Sequence, residues 1–179
     1  MAGFNNDKRF SLITARKFIY PVLQNIFGKT ANIDSIEEEE NNVARIFDSA
    51  GIDLTVTKDN VTFGVNSRCF NDKGFKPTFT IRQTRHGRPV EYYRIKAAIQ
   101  HGGLYPKYFA QCYSTDDSAI VGIIETEKLF DFIAADEGVK NPKVAKRTKE
   151  DVNFLSIEWQ HLKSMETYKV KGNKVDKLK

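Results

Sequence analysis

Apolar and polar positions divide this chain into short runs of two different periods. Residues 9–27 carry Leu12, Ile13, Phe18, Ile19, Val22 and Ile26 at helical spacing, with a break expected near Pro21. A second helix is predicted from a cap at Asp34 or Ser35. Ile36, Val43, Phe47 and Ala50 mark its apolar face, and Gly51 stops it. The period then changes to two. Ile52, Leu54 and Val56 alternate with polar residues, as do Val61, Phe63 and Val65, and the link Thr57-Lys58-Asp59-Asn60 predicts a β-hairpin.

Further along, Thr78 to Arg82 reads as a strand after a basic loop. His86-Gly87 reads as a turn, and Pro89 as the first residue of a helix running to about Gln100. Tyr108–Tyr113 and Ala119–Ile124 read as strands joined by a turn at Ser114 to Ser118. Glu127 to Ala135 reads as a helix with Leu129, Phe132 and Ile133 inward. The stretch 138–151 reads as a charged loop, Phe154–Ile157 as a last strand and Trp159–Tyr168 as a last helix. The Lys-rich residues 169–179 offer little to bury and are expected to be a flexible tail behind one domain of residues 1–168. The fold class predicted is α/β or α+β, with a mixed sheet flanked by helices.

Composition narrows the function classes. With 179 residues, 40% of them hydrophobic, the chain can bury one sizeable core. No apolar run approaches the ~20 residues that span a bilayer, and the first residues lack the pattern of a secretory leader. The expectation is a cytoplasmic protein without a membrane role. Two cysteines, Cys69 and Cys112, and three dispersed histidines argue against a disulfide framework or a His/Cys metal site. Residues 27–30, FGKT, imitate the end of a phosphate-binding loop, but the glycine that motif needs earlier is Leu23.

Charge is segregated. Residues 34–59 carry a net −6, residues 68–96 a net +6 and residues 140–179 a net +6. An acidic block beside basic ones suits either a phosphate-binding site assisted by a cation or plain solvated surface. By strand alternation Asp53, Thr55, Gly64, Asn66 and Arg68 share the hairpin face opposite the apolar set. Glu39 and Glu40 flank the apolar stripe of the preceding predicted helix, so either can approach Asp53, whereas Glu37 and Glu38 point away. Clustered carboxylates repel unless a cation lies between them, and Mg²⁺ takes such oxygen ligands. In the basic stretch, Arg68, Lys73, Lys76, Arg82, Arg85 and Arg88 are interleaved with Phe70, Phe75 and Phe79, with Tyr92, Tyr93 and the further candidate Lys96 behind them. That pattern suits phosphate neutralisation together with base stacking.

An acid on a helix, then "GID" opening a strand, then the return "VTFGVNSR", resembles the PD-(D/E)XK, restriction-endonuclease-like nuclease superfamily. The resemblance continues through "FTIRQTRHGRPVEYYRI" and "YFAQCYS" to "AIVGIIETEKLFDFI". It implies a restriction-endonuclease-like fold, Asp53 as the metal-binding aspartate with Glu40 or Glu39 beside it, and Mg²⁺ as cofactor. The second acidic position falls on Gly64 and the lysine position on Asn66, leaving Arg68 to supply positive charge on that face. Three functions follow as expectations: a nucleic-acid-binding protein with an eroded catalytic motif, acting as a regulator or inhibitor of a nucleic-acid machine; an active Mg²⁺-dependent endonuclease or resolvase; and a protein-interaction domain. DNA or RNA is the expected partner in the first two, and another protein in the third.

Overall fold

A computed structural model describes residues 10–36, 41–72, 74 and 76–179. Helix α1 spans residues 10–27 and does not break at Pro21. Proline would clash with the carbonyl four residues back, at Lys17. The helix absorbs it by widening into a π turn over Ala15–Ile19 before continuing as Tyr20–Phe27. Residues 32–35, expected to cap a helix, instead form strand β1 (Asn32–Ser35). Helix α2 begins later, at Asn42–Ser49, and its cap is Asn41, whose side chain accepts from the Ala44 N–H at 2.8 Å. Asn41→Ala is expected to lower stability by about 1 kcal/mol, read as a reduced urea midpoint, while Asp34→Ala leaves this helix unaffected.

The hairpin forms where the alternation placed it, with Thr57 and Lys58 paired in the strand instead of lying in the link. Strand β2 (Leu54–Lys58) pairs with β3 (Val61–Asn71), setting Leu54 opposite Val65 and Val56 opposite Phe63. Its turn is the two residues Asp59 and Asn60, both at positive φ, the geometry that suits tight hairpins. Strands β6 (Tyr108–Ser114) and β7 (Ser118–Glu125) also lie where strands were expected. The chain's end departs from expectation. Trp159–His161 is a single 3-10 turn, and the expected last helix and tail give strands β10 (Glu166–Lys171) and β11 (Lys174–Lys177). These seven strands make one mixed sheet in the order β1-β2-β3-β6-β7-β10-β11, with β3 and β6 parallel.

A second sheet is antiparallel, in the order β5-β4-β9-β8. It contains β4 (Thr78–Arg85), β5 (Arg88–Pro89), β8 (Val144–Lys149) and β9 (Val152–Glu158). Pro89 thus belongs to a strand, and the expected charged loop 138–151 contains β8. Helix α3 is Glu91–His101 and helix α4 is Thr126–Asp136. Among the described residues no helix is long and apolar enough to cross a membrane.

Alternation divides the core between the two faces of the large sheet. Phe18, Ile19, Val22 and Leu23 of α1 pack on Leu54, Val56, Val65, Ala110, Cys112 and Val121. On the opposite face Phe109 and Ile124 meet Ile95 of α3, Leu129 and Ile133 of α4, and Phe79, Ile81, Leu155 and Ile157 of the second sheet. Phe130, rather than the expected Phe132, is the fully inward phenylalanine of α4.

The second sheet is joined to the first through the edge of β4. Because β5 pairs only with Thr84 and Arg85, the outward backbone of Thr78–Arg82 lacks a strand partner there. Side chains take that role. The Tyr113 hydroxyl accepts from the Thr78 N–H at 3.1 Å and donates to its carbonyl at 2.8 Å. The buried Gln111 amide accepts from the Thr80 N–H at 3.2 Å and donates to the Thr80 carbonyl at 3.0 Å. Arg68 Nη1 reaches the same carbonyl at 3.1 Å, and Glu91 Oε2 accepts from the Arg82 N–H at 3.1 Å. An edge that would otherwise invite another chain is closed this way.

Candidate functional site

Strand β3 outruns β2, and the site forms beside the residue just before β2 begins. The Asp53 N–H donates to the Val65 carbonyl at 3.0 Å, and the Asp53 carbonyl accepts from Ile36 at 2.9 Å. Those bonds fix its backbone, and its carboxylate Oδ2 accepts the Ser67 N–H at 2.6 Å. One step along β3, Asn66 donates from Nδ2 to the Gly51 carbonyl at 2.8 Å. Its Oδ1 has no hydrogen-bond partner among the described residues, although the residue is buried. A pocket of about 210 Å³ opens here, lined by Asp53, Asn66, Arg68 and Arg82, with Ser35 and Phe70 at its sides.

Four of the residues singled out from the sequence therefore share one pocket. Arg68 comes from the alternating face of β3, and Arg82 from β4 of the other sheet. Between them stands Glu91, the first residue of α3. Its Oε2 pairs with Arg68 Nη2 and lies 3.6 Å from Arg82 Nε. Glu91 is 2% exposed, Arg68 15% and Arg82 47% by side chain, so the pair deepens inward while Arg82 faces the opening. Loss of hydration and the neighbouring Arg68 charge lower the Arg82 pKa, with Glu91 and Asp53 opposing. A guanidinium keeps its proton regardless, so Arg82 presents a fixed cation to the pocket mouth.

Gly64, the position where the resemblance would place a second acid, is closed to a side chain. A Cβ built on Gly64 would lie 2.6 Å from both Cγ1 and Cδ1 of Ile52. Ile52 was grouped by alternation with Leu54 and Val56. Just before β2 begins it turns to the other side, packing with Ile36 and Ala44 over Gly64.

Glu39 and Glu40 lie outside the described residues. Among those described, no group of three or more His, Cys, Asp or Glu side chains is arranged to hold a metal. Asp53 brings one carboxylate to the pocket, beside two guanidiniums, and Gly64 brings no side chain. That donor set does not fit Mg²⁺, which wants several oxygen ligands in an octahedron. With Glu91 the charges stand two against two, and Arg82, half-exposed at the mouth, is the cation placed to meet an anion.

The other basic candidates fall elsewhere. Lys76 is exposed and 3.8 Å from Glu158. Arg85 and Arg88 face each other across the His86-Gly87 turn of the second sheet. Lys96 lies over the Tyr92 ring at 5.7 Å, in a separate cavity of about 740 Å³ that also contains Tyr93, Lys146 and Asp136. Sequence reasoning missed Glu91. The available signal was an acid standing almost alone among the bases of residues 68–96, as a buried counter-charge would. No protein-family model, no curated protein and no solved structure matches this chain.

Proposed function

We propose that this chain binds nucleic acid through the Asp53–Arg68–Arg82 pocket without hydrolysing it, as a regulator or inhibitor of a nucleic-acid machine built on a restriction-endonuclease-like hairpin. The observation that carries this reading is the half-exposed Arg82 guanidinium at the pocket mouth together with an Ile52 side chain filling the space beside Gly64. The first can attract a phosphate, and the second removes the place where a catalytic acid would stand. The chain order α2-β2-β3-β4-β5-α3-β6 is compatible with the helix, hairpin, strand, helix and strand that the resemblance implies, with the difference that β4 and the two-residue β5 belong to the second sheet. Arg68 cannot replace the missing lysine as a base, because its guanidinium stays protonated and is committed to Glu91.

The test is incubation with supercoiled plasmid and branched DNA, with and without Mg²⁺ or Mn²⁺, alongside a binding titration. No cleavage is expected. Binding is expected to weaken about a hundredfold between 50 and 200 mM salt if about four phosphates are neutralised, and to weaken further in Arg82→Glu. Divalent-dependent cleavage lost in Asp53→Ala would establish the nuclease reading instead. Absence of both binding and cleavage, with a protein co-purifying, would establish an interaction domain.

A further inference from the structure

We propose that the outer face of the second sheet, β5-β4-β9-β8, is a platform for single-stranded nucleic acid, with the Phe154 ring as its stacking surface. This deepens the nucleic-acid reading above and rests on it. The register places the face. Arg82, Phe154 and Arg147 stand opposite one another across β4, β9 and β8. In the next row Arg88, Arg85, Val152 and Lys149 do the same across all four strands. Strand spacing makes these rows roughly 10 and 14 Å wide, and two residues along a strand set them about 7 Å apart. All five cations are exposed, and neither row contains an acid.

Two observations point to an anionic ligand of this kind. Arg85 directly opposes Arg88, a like-charge pairing that sheets disfavour. Among the described residues, Arg85, Arg88, Arg147 and Lys149 make no ion pair with a carboxylate. Nearby cations elsewhere do find partners, as Lys76 does with Glu158. A polyanion bridging the rows removes the repulsion. The second observation is Phe154. It is half-buried on this outward face, and it packs into none of the hydrophobic clusters of the core. A ring between two guanidiniums can stack on an unpaired base, and single strands offer such bases. In a duplex the base faces are already stacked on one another and are not free to meet the ring. Arg82 belongs both to this face and to the Asp53 pocket, so a strand crossing the sheet is led to the pocket mouth.

The experiment is fluorescence anisotropy with labelled oligo-dT, oligo-U and a duplex of equal length, at one salt concentration. The wild-type chain is expected to bind the oligomers more tightly than the duplex, and the dT and U arms separate DNA from RNA. Phe154→Ala is expected to weaken oligomer binding about tenfold with the duplex unchanged, and Phe154→Trp to restore it. A thermal melt of each variant registers any loss of fold. Arg147→Glu with Lys149→Glu is expected to weaken all arms about tenfold or more. Equal loss for duplex and oligomer in Phe154→Ala with Phe154→Trp failing to restore, or no loss at all, overturns the platform while leaving nucleic-acid binding standing. Full binding in the Arg147→Glu, Lys149→Glu variant, lost only on Arg82→Glu, does the same. Failure of the wild-type chain to bind any arm overturns both readings together.

Discussion

Glu91→Ala is expected to lower the unfolding free energy by about 3–5 kcal/mol, the loss typical of removing one partner from a buried ion pair. One oxygen, Oε2, holds the Arg68 guanidinium, accepts the Arg82 N–H at 3.1 Å and faces Arg82 Nε at 3.6 Å. Alanine would strand a mostly buried cation and leave the closing N–H of the β4 edge unsatisfied. The Arg82 side chain adds little, since it is half-exposed and screened by water. Glu91→Gln keeps an acceptor for the Arg82 N–H but not the charge, so a loss of about 2 kcal/mol is expected. Glu158→Ala, whose partner Lys76 is exposed, should stay within ~1 kcal/mol of wild type. Replacing both buried partners, as Glu91→Leu with Arg68→Met, should recover part of the single-variant loss. Urea unfolding reads all four, and a Glu91→Ala protein within ~1 kcal/mol of wild type would mean that this pair does not hold the two sheets together.

Two kinds of strand were legible. In the β2-β3 hairpin apolar residues alternate with polar ones, and this period set Asp53, Asn66 and Arg68 on a common side. Strands β6 and β7 are instead nearly continuous apolar runs, because both of their faces are buried. Arg82 entered the site through a different sheet, but it too was legible as a basic residue next to a strand's apolar set. Edge strands were illegible for a physical reason. In β8, VAKRTK, and in β11, KVDK, charge is spread over exposed edges that repel stray strands, which imitates a loop or a frayed tail. Trp159, Leu162 and Met165 imitate one face of a helix by spacing, yet they reach the core from a 3-10 turn and the loop after it. Pro89 read as a helix start because the missing N–H suits that position equally well as the end of a two-residue strand. Glu91 was the hardest to foresee. Its partners Arg68 and Arg82 lie 23 and 9 residues away, and only the docking of β4's edge on the large sheet brings them together.

Placing an acid at Gly64, as Gly64→Glu, is expected to damage the fold and to confer no cleavage. The new Cβ would start 2.6 Å from two carbons of Ile52, a residue 1% exposed and fixed between Ile36 and Ala44. A branched side chain anchored in a core cluster does not swing aside as the end of a lysine would, so the clash falls on the backbone of β2 and β3. Overpacking alone costs about 1–3 kcal/mol, and a carboxylate forced into a buried strand position adds its lost hydration. A total loss of about 3 kcal/mol or more is expected by urea unfolding. Ile52→Ala removes the obstacle but costs about 2–5 kcal/mol of its own as a core truncation. The diagnostic quantity is the coupling between the two. If Ile52 is what closes the site, the double variant is more stable than the sum of the single losses by more than ~1 kcal/mol. Additive losses would place the penalty in the buried charge instead of the clash. A Gly64→Glu protein as stable as wild type that cuts plasmid with Mg²⁺ would show that the pocket was one side chain away from a nuclease, and the binding reading would then lose its main support.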